Sequence, residues 1–112
     1  TVQKHIPAEY SLAFKNANEL SCILYYVSDS GEEITASEYQ LEDIDASVIL
    51  DTENAEVQNG VISGQEVVLI YKDDSYQVVW IIKDAQMMYA VSGSKDIEDV
   101  INNLAENLIS AS

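Results

Sequence analysis

The sequence predicts an α+β fold: a curved antiparallel sheet of about six or seven strands in two meanders, with one C-terminal amphipathic helix packed on one face. Three observations predict it. Runs of β-branched and aromatic residues recur along most of the chain, and Gly- or Asp-containing turns separate them. After Gly93 the apolar spacing changes from two to three and four. At 112 residues the chain has the size of a single domain, so residues 1–112 read as one unit with one principal core.

The first meander is expected over residues 10–15, 20–28 and 33–41, with Asp29-Ser30-Gly31-Glu32 turning the second strand into the third. Between Glu42 and Glu56 the pattern loosens into an acidic crossover that carries the short apolar run Val48-Ile49-Leu50. The second meander is expected over 56–62, 65–72, 76–83 and 86–92, with turns at Ser63-Gly64, Asp73-Asp74-Ser75 and Asp84-Ala85. Asn59-Gly60 also reads as a turn or bulge feature.

Strand 76–83 places Tyr76, Val78, Trp80 and Ile82 on one face and Gln77, Val79, Ile81 and Lys83 on the other. Strand 65–72 repeats this, with Val67, Leu69 and Tyr71 opposite Val68 and Ile70. Strands that are apolar on both faces at their centres belong inside a sheet, covered at least partly on both sides. In the final segment Ile97, Val100, Ile101, Leu104 and Leu108 form a single helical stripe. Ser94 is the expected N-cap, and Asp96, Glu98 and Asp99 put negative charge where the helix dipole favours it. One helix covers one face, so the other needs sheet curvature, the N-terminal strands or a partner.

Twenty Asp and Glu face five Lys and no Arg, a formal net charge of −15, and residues 16–71 carry no Lys, Arg or His. Such a chain repels phosphate backbones and anionic bilayers, so no nucleic-acid partner is expected and basic partners remain open; the partner expected is a protein or cell-envelope ligand. No stretch approaches the about 20 apolar residues of a membrane helix, so this segment is not expected to insert directly. Thr1 in place of Met suggests a segment excised from a longer membrane-anchored or secreted protein.

No catalytic, cofactor-binding or metal-ligating residue is nominated, and no cofactor is expected. The one histidine, His5, sits in what reads as a frayed N-terminal segment beside Pro7, too little for a nucleophile–base pair. Cys22 alternates with Leu20, Leu24 and Tyr26, the pattern of a buried, inert thiol. Asp43-Ile44-Asp45 and Asp51-Thr52-Glu53 lack the spacing and the glycine of an EF-hand loop. Seven tyrosines and Trp80 suit either a core or an aromatic contact platform. The candidate interaction surface is therefore Tyr76, Trp80, Tyr89, Asp43, Asp45, Asp51 and Glu53.

Several segments resemble a bacterial family named only as domain of unknown function 4367. They are Ile6-Pro7-Ala8-Glu9-Tyr10, Asp51-Thr52-Glu53 with Ala55, Val61-Ile62-Ser63-Gly64-Gln65-Glu66, Trp80, Tyr89-Ala90-Val91-Ser92-Gly93, Asp96-Ile97-Glu98-Asp99-Val100-Ile101 and Ala105-Glu106-Asn107-Leu108. The chain departs from that pattern at Asp84-Ala85, where Asp-Gly or Asn-Gly is more typical. The resemblance implies a C-terminal, extracytoplasmic part of a membrane-anchored protein of Gram-positive bacteria, in some members beside an anti-sigma-factor-like region. It carries over no catalytic residue.

The function expected first is a non-enzymatic extracytoplasmic sensory or protein-interaction domain, working through the uncovered sheet face or the acidic crossover. The alternative is a carrier of a small apolar ligand or lipid in a cavity between sheet and helix. A carboxylate-dependent hydrolase is the third reading, and it would need two acids held in a cleft.

Overall fold

The computed structural model describes residues 2–40 and 54–111, so Asp43, Asp45, Asp51, Glu53 and the run Val48-Ile49-Leu50 lie outside the described residues. A short helix α1 (Val2–His5) precedes strands β1 (Tyr10–Ala17), β2 (Ser21–Ser28) and β3 (Glu33–Gln40). After the undescribed connection come β4 (Glu56–Ile62), β5 (Gln65–Lys72), β6 (Ser75–Ile82) and β7 (Met87–Ser94). A 3-10 turn (Lys95–Ile97) leads into helix α2 (Glu98–Ala111). The fold is α+β, as the periodicity predicts.

All seven strands join one open antiparallel sheet in the order β1-β2-β3-β7-β6-β5-β4. The two meanders meet where the last strand of each pairs, β3 against β7. That places β7 and β6 near the middle and β1 and β4 at the edges. The apolar character of β5 and β6 on both faces follows from this arrangement.

Local chemistry sets the turns. Ser63 and Gly64 both have positive φ, 50° and 83°, as a two-residue hairpin loop between right-twisted strands requires. In the β6–β7 turn the positive φ falls on Gln86 (53°) and not on Ala85, so the absence of glycine at position 85 leaves that turn intact. Asn59-Gly60, read above as a turn or bulge feature, instead pairs regularly with Val68 and Val67 inside β4. The irregularity lies in β1, between Leu12 and Phe14. An extra residue there shifts the face parity, so that Leu12, Lys15 and Ala17 oppose Tyr26, Leu24 and Cys22 on the same side of the sheet.

Of the expected helix stripe, Ile97, Ile101 and Leu104 are buried on that side; Val100 and Leu108 are only partly buried, and Ala105 and Ile109 complete the buried face. Ile97, Ile101, Leu104, Ala105 and Ile109 pack against Tyr26, Ile34, Tyr76, Val78, Trp80 and Val91. Ile101 and Leu104 are almost wholly inaccessible, and each such side chain contributes about 1.5–3 kcal/mol. Ser94 caps as expected: its Oγ accepts the Asp96 N–H at 3.2 Å. The opposite face has its own buried cluster, Ile70, Val79, Met88 and Ala90, with Tyr39, Ala55, Val68 and Ile81 packed around it. The central strands are thus covered on both sides.

Candidate functional site

Helix α2 is fixed at both ends. At its start Ile97 and Ile101 press on Gly93 of β7, and at its end Ser110 Oγ donates to Ser63 Oγ of the β4–β5 turn at 3.2 Å. Between these points it packs on β7, β6 and β4, and against α1. The β1–β3 half of the same sheet face lies to one side of that path. There the sheet and the two helices enclose an apolar groove with a volume of about 530 Å³.

Its floor is built from cross-strand rows. In one row Cys22, Glu38, Tyr89 and Trp80 stand side by side on β2, β3, β7 and β6. The next row is Lys15, Leu24, Ala36 and Val91, and beyond it Leu12 faces Tyr26. Leu108 and Ala111 of α2 form one wall, and His5 of α1 closes part of another. Leu12 remains 46% exposed, so the groove opens at the β1 edge.

The rings of Trp80 and Tyr89 stack with centroids 5.7 Å apart and planes 17° from parallel, giving the floor a rigid aromatic pair. Burial raises the Tyr89 hydroxyl above the usual tyrosine range, and the Glu38 carboxylate beside it adds to the effect. Burial likewise raises Tyr26, which is fully covered at the inner end of the floor. These phenols stay protonated at neutral pH and present the groove with neutral, largely apolar surfaces.

Of the residues nominated from sequence, Trp80 and Tyr89 come together in this floor, Tyr89 half-buried and Trp80 only 4% exposed, with most of its indole packed in the core. Tyr76 does not belong to it: it is 1% exposed beneath α2, where its hydroxyl donates to Asn102 Oδ1 at 2.5 Å, so it is a core residue and not a contact surface. Asp43, Asp45, Asp51 and Glu53 lie outside the described residues. Two other readings change. Cys22 is half-buried at the groove and not sealed in the core, because its row ends at the open β1 side. His5 lies in a helix against α2 instead of a frayed terminus. Sequence reasoning missed Lys15, Glu38, Leu108 and Ala111 as groove residues; the alternation of Leu20, Cys22, Leu24 and Tyr26 was the available signal for the β2 floor.

Among the described residues no three His, Cys, Asp or Glu side chains are grouped to hold a metal ion, and no buried polar side-chain atom lacks a partner. No helix among them is long and apolar enough to cross a membrane.

Fold and groove together define the class: an α+β domain whose open antiparallel sheet and C-terminal helix leave an aromatic-floored apolar groove between them. The chain belongs to the family described as Domain of unknown function (DUF4367), which matches residues 3–108. No curated protein and no solved structure matches it.

Proposed function

We propose that this is a non-enzymatic, extracytoplasmic sensory or carrier domain whose receptor element is the groove, and that the groove holds a small apolar ligand. The observation that carries this reading is an opening of about 530 Å³ beside a well-packed core, lined mainly by Leu, Val, Ala and aromatic side chains. Its volume falls within the about 300–1,000 Å³ of small-molecule sites. Neutral phenols, a stacked aromatic pair and aliphatic walls suit burial of hydrocarbon, which is favourable at about 25 cal/mol per Å². The extracytoplasmic setting, with an anchor upstream of this segment, is what the family resemblance implies. Among the described residues Glu38 is the one carboxylate that lines the groove, so paired-carboxylate hydrolysis has no support from them.

Cys22, the only cysteine, reports directly on occupancy. Its alkylation by a small neutral maleimide should slow several-fold when the neutral apolar probe 1-N-phenylnaphthylamine is added, and recover when the probe is removed. Unchanged alkylation at saturating probe would sink the reading.

A second reading, a protein-interaction surface, is favoured by Leu12 and Phe14 on edge strand β1, 46% and 58% exposed. Edge strands with apolar side chains are templates for partner strands. A β1 variant carrying Phe14→Lys would abolish partner capture on that reading and leave probe binding intact.

A further inference from the structure

We propose that the ligand of the groove is a single-chain amphiphile with an anionic head group, its chain lying on the Trp80–Tyr89 floor and its head at Lys15. This rests on the apolar-ligand reading and specifies its chemistry. The argument is one of charge. The chain carries 20 acids and only five lysines, so an anion is repelled over most of its surface. Among the described residues, two of the few basic side chains, Lys15 on β1 and His5 on α1, border the groove, and one carboxylate, Glu38, lines it. Among the described residues neither Lys15 nor His5 forms an ion pair. Lys95, by contrast, already lies over the Tyr71 ring at 5.9 Å.

Position separates the two opposite charges of the groove. Lys15 is on the edge strand, in register with Leu24 and Ala36; Glu38 is on β3, one row along, between Cys22 and Tyr89. With strands about 4.8 Å apart and a row offset of about 7 Å along the strand, their backbones lie about 12 Å apart, more than one Debye length at physiological salt. A head at the β1 rim therefore meets Lys15 first and Glu38 weakly. The β1 irregularity that turns Lys15 onto this face also sets Leu12 beside it, an apolar step followed by a cation at the groove mouth. The aliphatic stem of Lys15 can flank the chain while its ammonium stays in water at the head.

The test is a head-group series of constant chain length, dodecanoate, dodecanol and dodecyltrimethylammonium, the ions below their micellar concentrations and the alcohol below its solubility limit. Their affinities are read by displacement of 1-N-phenylnaphthylamine from the wild type, Lys15→Ala and Lys15→Glu. Dodecanoate should bind about threefold or more tighter than dodecanol, the range expected of an exposed charge pair. Lys15→Ala should erase that preference, and Lys15→Glu should invert it, each read as the ratio of dodecanoate to dodecanol affinity within the same variant. Equal affinities across the series, or tightest binding of the ammonium, would overturn the head-group assignment while the apolar reading stands. Failure of the neutral probe itself to bind would overturn both.

Discussion

Gly93 lies so close beneath Ile101 that a Cβ on it would sit 3.0 Å from Ile101 Cδ1, 3.1 Å from Ile97 Cδ1 and 2.8 Å from the Glu33 carbonyl oxygen. The side chains could shift a little, but the carbonyl belongs to the β3 backbone paired with β7 and cannot. This contact sets where α2 lands and, through it, which half of the sheet stays open as the groove.

Gly93→Ala should therefore destabilise the domain by about 1–3 kcal/mol, the usual cost of overpacking. Urea unfolding should show a lower midpoint with the slope unchanged.

Tyr76 anchors the same helix from the neighbouring strand, through its hydrogen bond to Asn102 and its ring contact with Tyr71 at 4.9 Å. Tyr76→Phe removes the hydroxyl and should cost about 0.5–1.5 kcal/mol. The pH dependence is the sharper sign. Burial first, then the neighbouring Tyr71 and Glu98, pushes the Tyr76 phenol up to about 12, against 10.0 for the free side chain. Below pH 10 folded and unfolded chains both hold the proton, and the contribution is fully present. As pH rises from 10 towards 12 the unfolded chain releases a proton that the folded chain keeps, so stability falls. Tyr10, Tyr26, Tyr71 and Tyr89 are raised in the same direction and add to the slope. Alkaline thermal melts should show this decline in the wild type and a shallower one in Tyr76→Phe.

A formal charge of −15 on one small domain also makes self-repulsion a global term. Raising NaCl from 10 mM to 500 mM shortens the screening length from about 30 Å to a few Å. The melting temperature should rise across that range at neutral pH, and an unchanged or falling value would contradict this account of the charge.

The strands and the helix were legible because their signals are local. Alternation in Tyr76–Ile82 and the change of period after Gly93 each report a face that must be buried, and Ser94 marks the joint between them. The groove was not legible, because it depends on long-range choices. Pairing of β3 with β7 brings Cys22 and Glu38 into a row with Tyr89 and Trp80, residues separated by more than forty positions in the chain. The β1 irregularity is equally hidden: nothing in Leu12-Ala13-Phe14 announces an extra residue, yet it decides that Lys15 faces the groove. Tyr76 and Trp80 share one strand face and look alike in sequence. Both are buried in the core beneath α2, and they differ in their neighbours: Tyr76 bonds to Asn102 of the helix, whereas Trp80 stacks on the half-buried Tyr89 at the groove floor.

Trp80 is the only tryptophan and stands in that floor, so it tests the central claim most directly. Titration of the domain with 1-N-phenylnaphthylamine, exciting Trp80 and following energy transfer to the probe, should give a saturable signal with one site per chain. Ala111→Trp, which enlarges an exposed side chain at the groove wall without entering the core, should weaken binding about tenfold or more, a loss of about 1.4 kcal/mol; its own added indole is handled by reading probe emission under direct excitation. Saturable binding that Ala111→Trp blocks is the predicted result. No saturable binding to the folded wild type, or binding indifferent to Ala111→Trp, would contradict it.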